Sequence, residues 1–383
     1  MTSFTVVVAA LVAALVAWVG ARALARTATR NGLAIDDTQG QLRKIHVLPT
    51  SRIGGIALAA GIVAGAALEY SVEREFGTLA LLLLCVAPGF AWGLIEDVSK
   101  RGAVLARLAV TALAAALGFV LLDARITQLD VPGLDSLFML HTFSFAFTVF
   151  AVTGVAHSIN VIDGLNGLSG FVSLLGSIGL AVVAALADDP VIFSAACVLA
   201  ASILGFLLVN FPRGRIFLGD GGAYLVGLLL AELSVLLVHR NSEVSPWFPL
   251  VLLAYPVWET LFSMYRRRAR GHSTGRADAL HLHSLVYHRV VRWRGHEGSA
   301  SDYVTRNSLA SLLLWAVPFA CLAIALVFWD SSRELQIAAG AFGIIYILGY
   351  RRLVRFGVPA WLVVRAKAKR KGVAEIDGDP AEV

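Results

Sequence analysis

The sequence predicts an all-α, polytopic integral membrane protein with about eleven transmembrane helices in a single domain. Three observations predict it. Hydrophobic residues make up 58% of the 383 positions and charged residues 15%, and the mean hydropathy is +0.76, values that a water-soluble domain does not reach. Apolar runs of about 20 residues recur along almost the whole chain, each long enough to cross a roughly 30 Å hydrocarbon core as a helix. Lys and Arg gather in alternate connections between those runs.

The runs centre near residues 12, 61, 86, 113, 148, 178, 200, 230, 256, 317 and 343. No base precedes the first, and Arg22, Arg26 and Arg30 follow it, so it reads as an uncleaved span rather than a secretory leader. With the N-terminus outside, connections 25–52, 96–104, 159–166, 210–221 and 266–306 and the tail 354–383 share one side and hold most of the bases. The positive-inside rule makes that side cytoplasmic. The net charge of +6 belongs to this distribution, which suits membrane lipid and anionic substrates and carries no signature of nucleic-acid binding. Cys85, Cys197 and Cys321 are too widely separated for a disulfide framework or a thiolate metal site.

Five polar or glycine-rich segments fall on the cytoplasmic side. Arg43–Gly55 brings bases, among them Lys44 and Arg52, to a Pro turn and a Gly pair at a helix start, where N–H groups and positive charge can meet an anion. Glu96 and Asp97 end an apolar run and can hold a cation or a proton. Asn160 and Asp163 share one helical face, followed by Asn166 in a stretch whose glycines admit close backbone approach. Asp220 stands framed by glycines at the mouth of a span, as a Mg²⁺ ligand or a helix cap. The stretch Arg266–Arg289, with Arg276, His281 and His283, matches diphosphate recognition, and the spacing of its histidines does not suit zinc.

These segments, in this order, resemble the polyprenyl-phosphate N-acetylhexosamine-1-phosphate transferases, glycosyltransferase family 4; Asn160–Gly167 and Phe217–Asp220 are the most specific matches. The resemblance implies a ten- or eleven-span helical protein of the bacterial inner membrane with its active site facing the cytoplasm. It implies a Mg²⁺-dependent enzyme, with Mn²⁺ as the substitute ion, that moves an amino-sugar phosphate from a UDP-N-acetylhexosamine to undecaprenyl phosphate and releases UMP. Carried over residue by residue, it makes Asp220 the metal ligand and puts Asn160 and Asp163 in the site. It puts Asn166 near the uridine, Asp97 near the lipid phosphate, and Arg276, His281 and His283 on the donor. Glu96 departs from the Asp usual in the family, and Ala279 and Ser284 replace the Arg and final His often found around the His-x-His unit. The missing triple-His pattern points away from peptidoglycan precursors and toward O-antigen, capsule or related polysaccharide. Direct attack by the lipid phosphate and a two-step route through an enzyme-bound phosphosugar both stay open, as does a homodimer. A secondary transporter is the rival class; it requires polar residues near the bilayer midplane and a pseudo-symmetric repeat.

Overall fold

The computed structural model describes residues 3–30, 32, 34–35, 50–73, 77–271, 280–294, 300–355 and 363–367. Its helices are α1 (Ser3–Arg30), α2 (Gly54–Glu73), α3 (Thr78–Ser99), α4 (Val104–Leu121), α5 (Asp135–Phe138), α6 (His141–Ile162) and α7 (Leu168–Leu186). They continue as α8 (Pro190–Asn210), α9 (Gly219–Arg240), α10 (Phe248–Leu252), α11 (Ala254–Ala269), α12 (Leu282–Leu285), α13 (Ala300–Val327) and α14 (Ser332–Val354). Among the described residues, ten helices are long and apolar enough to cross a membrane. The chain is a multi-pass membrane protein.

The eleventh expected span, near residue 256, is broken rather than continuous. Its segment is divided at Leu253 into α10 and α11. Pro249 and Pro256 flank the break and supply no backbone N–H there. The second piece carries Glu259 and ends in Arg266–Arg268, so it is not a continuous apolar helix. A two-stranded parallel ribbon, β1 (Val291–Arg294) on β2 (Val364–Lys367), joins the start of the expected tail to the stretch after the histidines.

The most enclosed helix is α9, which packs against α2, α3, α6 and α7. Helices meet here through bare backbone. A Cβ on Gly55 would lie 2.5 Å from Gly222 Cα, and one on Gly93 would lie 2.5 Å from Gly221 Cα, so α2 and α3 both close on the start of α9. On α1 a stripe of alanines, Ala9, Ala13, Ala17 and Ala21, is fully buried and lets α2 and α8 approach. Side chains such as Leu105, Phe150 and Ile345 stand exposed on the outside, where hydrocarbon is the solvent. At the end away from the site, Asp189 caps α8 by accepting from Val191 N and Ile192 N, each at 3.1 Å, and Arg240 Nε at the end of α9 donates to it at 2.6 Å. Burial works upward on the Asp189 carboxyl, but these donors hold it below the ordinary carboxylate value.

Candidate active site

The site assembles at one end of the bundle from the starts of α2 and α9 and the ends of α3 and α6. The segment before α2 runs against the segment before α9: Phe217 N donates to Ser51 O, Gly54 N to Phe217 O and Gly55 N to Leu218 O, each at 2.9 Å. Gly219 follows at φ +76°, and a Cβ there would strike Arg52 O, so only glycine suits the position. This pairing fixes Arg52 beside the first turn of α9.

Asp97, at the end of α3, is buried and caps that turn. Its two oxygens accept the backbone N–H groups of Asp220 and Gly221, both at 3.0 Å. Orphan N–H groups at a helix start take a carboxylate readily, and the helix dipole adds to the attraction. Asp220 then turns its own carboxylate to the site: Oδ1 accepts from Asn160 Nδ2 at 2.8 Å and from Arg52 at 3.3 Å. Arg52 Nε also lies 3.7 Å from Asp97, so one guanidinium bridges both carboxylates. Among the described residues nothing donates to Asp220 Oδ2.

Asp163 caps the end of α6 and accepts from Ser169 Oγ. Burial pushes its carboxyl up to about 6, with the Asp220 charge adding to the rise, while the Ser169 hydrogen bond and the Arg52 charge oppose it. Asn166 is buried: its Nδ2 donates to Pro212 O at 3.0 Å and its backbone N–H to Asn307 Oδ1 at 2.8 Å. It pins the 163–167 connection onto the 210–214 connection. Gly167, at φ +73°, donates to Asn210 Oδ1 at 2.7 Å, which ties the same two connections together again.

Glu96 does not face Asp220. Consecutive helix residues point about 100° apart, and the buried Glu96 carboxylate lies 2.9 Å from Arg107 Nε on α4. The histidine segment does reach the site, since a Cβ on Gly164 would collide with the His283 ring. His281 and His283 stack with ring centroids 5.4 Å apart. Lys44 and Arg276 lie outside the described residues.

Two residues escaped the sequence reading. Glu259 on α11 has no exposed surface; it holds His281 Nδ1 at 2.9 Å and accepts from Leu282 N and from Tyr346 Oη at 2.7 Å. Its signal was present as an acid inside an apolar run. His157 sits one turn before Asn160 on α6, and the i, i+3, i+6 spacing of His157, Asn160 and Asp163 could have found it.

The family description "glycosyl transferase family 4" matches residues 79–238, which contain Asp97, Asn160, Asp163 and Asp220. A probable undecaprenyl-phosphate N-acetylglucosaminyl 1-phosphate transferase of Bacillus subtilis is 30% identical over 293 residues, 75% of this chain and 77% of that protein. The chain belongs to glycosyl transferase family 4. Another similar protein is the decaprenyl-phosphate N-acetylglucosaminephosphotransferase of Mycolicibacterium smegmatis, 26% identical over 82% of this chain and 81% of its own. An undecaprenyl-phosphate alpha-N-acetylglucosaminyl 1-phosphate transferase of Thermotoga maritima is 29% identical over 66% of this chain and 73% of its own. Family 4 membership makes this chain a sugar-phosphate transferase.

The family-4 chain also holds a feature of the rival transporter class. Glu232 lies on α9 well inside the bundle, fully buried, and neither of its oxygens meets a donor. It is one residue, away from the convergence of Arg52, Asp97, Asn160 and Asp220.

Proposed function

We propose that the chain transfers an N-acetylhexosamine-1-phosphate, or a related amino-sugar phosphate, from a UDP-sugar to undecaprenyl phosphate and releases UMP. The reaction faces the cytoplasm of a bacterial inner membrane and begins O-antigen or another cell-surface polysaccharide. The observation that carries this reading is Asp220 at the start of α9. One carboxylate oxygen is fixed by Asn160 and Arg52, and the other takes no protein donor among the described residues.

That arrangement fits Mg²⁺. Among the described residues no three His, Cys, Asp or Glu side chains form a protein cage for a metal. Mg²⁺ is commonly held by one or two carboxylates together with substrate phosphates, and Asp220 supplies the first of these. The ion, when bound, would neutralise charge on the diphosphate. Mn²⁺ would serve the same oxygen ligands.

The chain's own residues do the rest by positioning and charge. Arg52 offers a guanidinium beside Asp220 where phosphate oxygens would gather. Asp97 holds the start of α9, and with it Asp220, at a fixed depth. His281 and His283, stacked and backed by Glu259, present imidazoles to the donor side. The names of the relatives favour this acceptor and an N-acetylglucosamine donor.

The test is UMP release by purified protein in detergent with undecaprenyl phosphate, Mg²⁺ and a panel of UDP-N-acetylhexosamines, with Asp220→Ala alongside. Release that needs both lipid and metal and is lost in the variant supports the reading and names the sugar. Folded protein that releases no UMP with any donor of the panel would overturn it.

A further inference from the structure

Helices α11 and α14 end side by side beside the histidine segment. The Arg266 guanidinium lies 5.1 Å from the Tyr350 ring centroid, and the Phe262 and Tyr350 rings meet with centroids 4.7 Å apart. Both ends grip one carbonyl, Leu280 O, which accepts from Arg266 Nη1 at 2.8 Å and from Tyr350 Oη at 2.9 Å. Leu280 precedes His281, whose Nε2 lies 3.5 Å from Arg267 Nη2.

Each of these helices carries an outward stripe that changes from apolar to basic at its end. On α11 the exposed Leu261 and Tyr265 are followed at helical spacing by Arg268. On α14 the exposed Ile344 and Leu348 are followed by Arg351, Arg352 and Arg355. Arg270 closes α11. These five arginines are exposed, and none takes a carboxylate among the described residues. The acids of the two helices are placed elsewhere: Glu259 is buried against His281, and Glu334 stands in the first turn of α14. Helix C-termini favour cations, but two touching ends with five like charges and no counter-charge favour an anion between them.

We propose that the ends of α11 and α14 form a binding site for an anionic phospholipid of the leaflet that borders the active site. Its phosphate sits among Arg268, Arg270, Arg351, Arg352 and Arg355, and its acyl chains lie along the apolar part of the two stripes. Arginine forks suit phosphate oxygens, and basic pockets between spanning helices take such headgroups. A soluble acidic partner would leave the apolar part of the stripes unused, which singles out a lipid. Through Arg266, Arg267 and Tyr350 the bound headgroup steadies the stretch from Leu280 to His283. That link to donor binding rests on the function proposed above, whereas the lipid site does not.

The experiment has two readouts. Native mass spectrometry of detergent-purified protein measures retention of phosphatidylglycerol against equal phosphatidylcholine. Donor KM is measured at saturating undecaprenyl phosphate in nanodiscs of phosphatidylcholine with and without phosphatidylglycerol. Wild type is compared with two patch pairs, Arg268→Gln with Arg352→Gln and Arg270→Gln with Arg351→Gln, so that one reports if the other does not insert. The control pair, Arg22→Gln with Arg26→Gln, removes as much exposed charge from α1, whose end packs beside the start of α2. Wild type and control should retain phosphatidylglycerol ~10-fold over phosphatidylcholine, and each patch pair should fall toward parity. Phosphatidylglycerol should lower donor KM about 5-fold in wild type and control but not in the patch pairs, with kcat unchanged. No preference in wild type, or an equal loss in the control pair, overturns the site. Displacement of phosphatidylglycerol by stoichiometric undecaprenyl phosphate would make this surface an acceptor site and overturn it as well. A donor KM indifferent to phosphatidylglycerol overturns the link to the histidine segment. Wild type that retains phosphatidylglycerol yet releases no UMP overturns the transferase reading and leaves the lipid site standing.

Discussion

Glu259 holds His281 from behind: a fully buried carboxylate on α11 accepts from Nδ1 at 2.9 Å, and so fixes which imidazole nitrogen turns outward. The same carboxylate accepts from Leu282 N and Tyr346 Oη, so it joins the histidine segment to α11 and α14. Glu259→Ala leaves the donors of His281, Leu282, Tyr346 and Ser263 around an empty space. Breaking a buried pair of this kind costs about 3–5 kcal/mol, and the detergent-solubilised variant should melt well below wild type. Glu259→Gln keeps acceptor oxygen and volume, so it should retain more of the fold while losing UMP release.

Asp220 and Asp97 should separate by readout. Asp220→Asn keeps the hydrogen bond to Asn160 and the helix start but loses the anionic oxygen. Its rate should fall on the order of 100-fold or more, with a melting temperature close to wild type and a weakened response to Mg²⁺ titration. Asp97→Ala removes the acceptor of two N–H groups and should lower stability by about 1–3 kcal/mol as well as activity. Thermal unfolding followed by tryptophan fluorescence distinguishes the two.

Asp163 gives a pH signature. Its folded carboxyl titrates at about 6, above the 3.8 of an ordinary aspartate that an unfolded chain approaches, because burial and the Asp220 charge disfavour the anion. A raised value means that the fold binds the proton more tightly than the unfolded chain. Its contribution is therefore fully present below 3.8 and lost as pH rises through about 6. Unfolding measured from pH 3.5 to 7.5 should show wild type losing stability relative to Asp163→Asn across that window and running parallel to it above.

Two glycines give opposite expectations. A Cβ on Gly93 would stand 2.5 Å from both Gly221 Cα and Gly221 N, backbone atoms that cannot rotate aside. Gly93→Ala should force α3 from α9 and abolish activity along with the folded yield. Gly154, in the interior of α6, has no neighbour within 4 Å of the same added atom. Gly154→Ala should be neutral or stabilise by about 0.5–1 kcal/mol. Expression and size-exclusion profiles of the pair report the difference.

Much of this was legible in the sequence because hydrophobic length is a strong signal and the polar segments interrupt it. The spanning helices follow from runs such as Val191–Val209, in which no charge appears. The division at Leu253 did not show, because Phe248–Phe262 remains apolar enough to pass for one helix and the prolines on either side are also tolerated inside membrane spans. Asp97, Asn160 and Asp220 were singled out as chemistry-bearing types at helix ends, but that Asp97 would cap α9 could not be read, since the contact joins residues more than 120 positions apart. The sequence favours Asp97 over Glu96, which departs from the usual Asp; what it does not show is their separation by helical rotation and the Arg107 partner of Glu96. Asn166 reads in sequence as a ligand-facing amide; its Nδ2 and backbone N–H are taken by Pro212 and Asn307, and its Oδ1 meets no donor among the described residues.

The parallel pairing of Val291–Arg294 with Val364–Lys367 has a practical side. A chain ended after α14 would keep every spanning helix and insert normally, yet it would release one anchor of the segment that carries His281 and His283. Such a shortened protein should purify as a well-behaved membrane protein and still bind donor weakly, so reporter fusions and affinity tags belong at the N-terminus or well beyond Lys367.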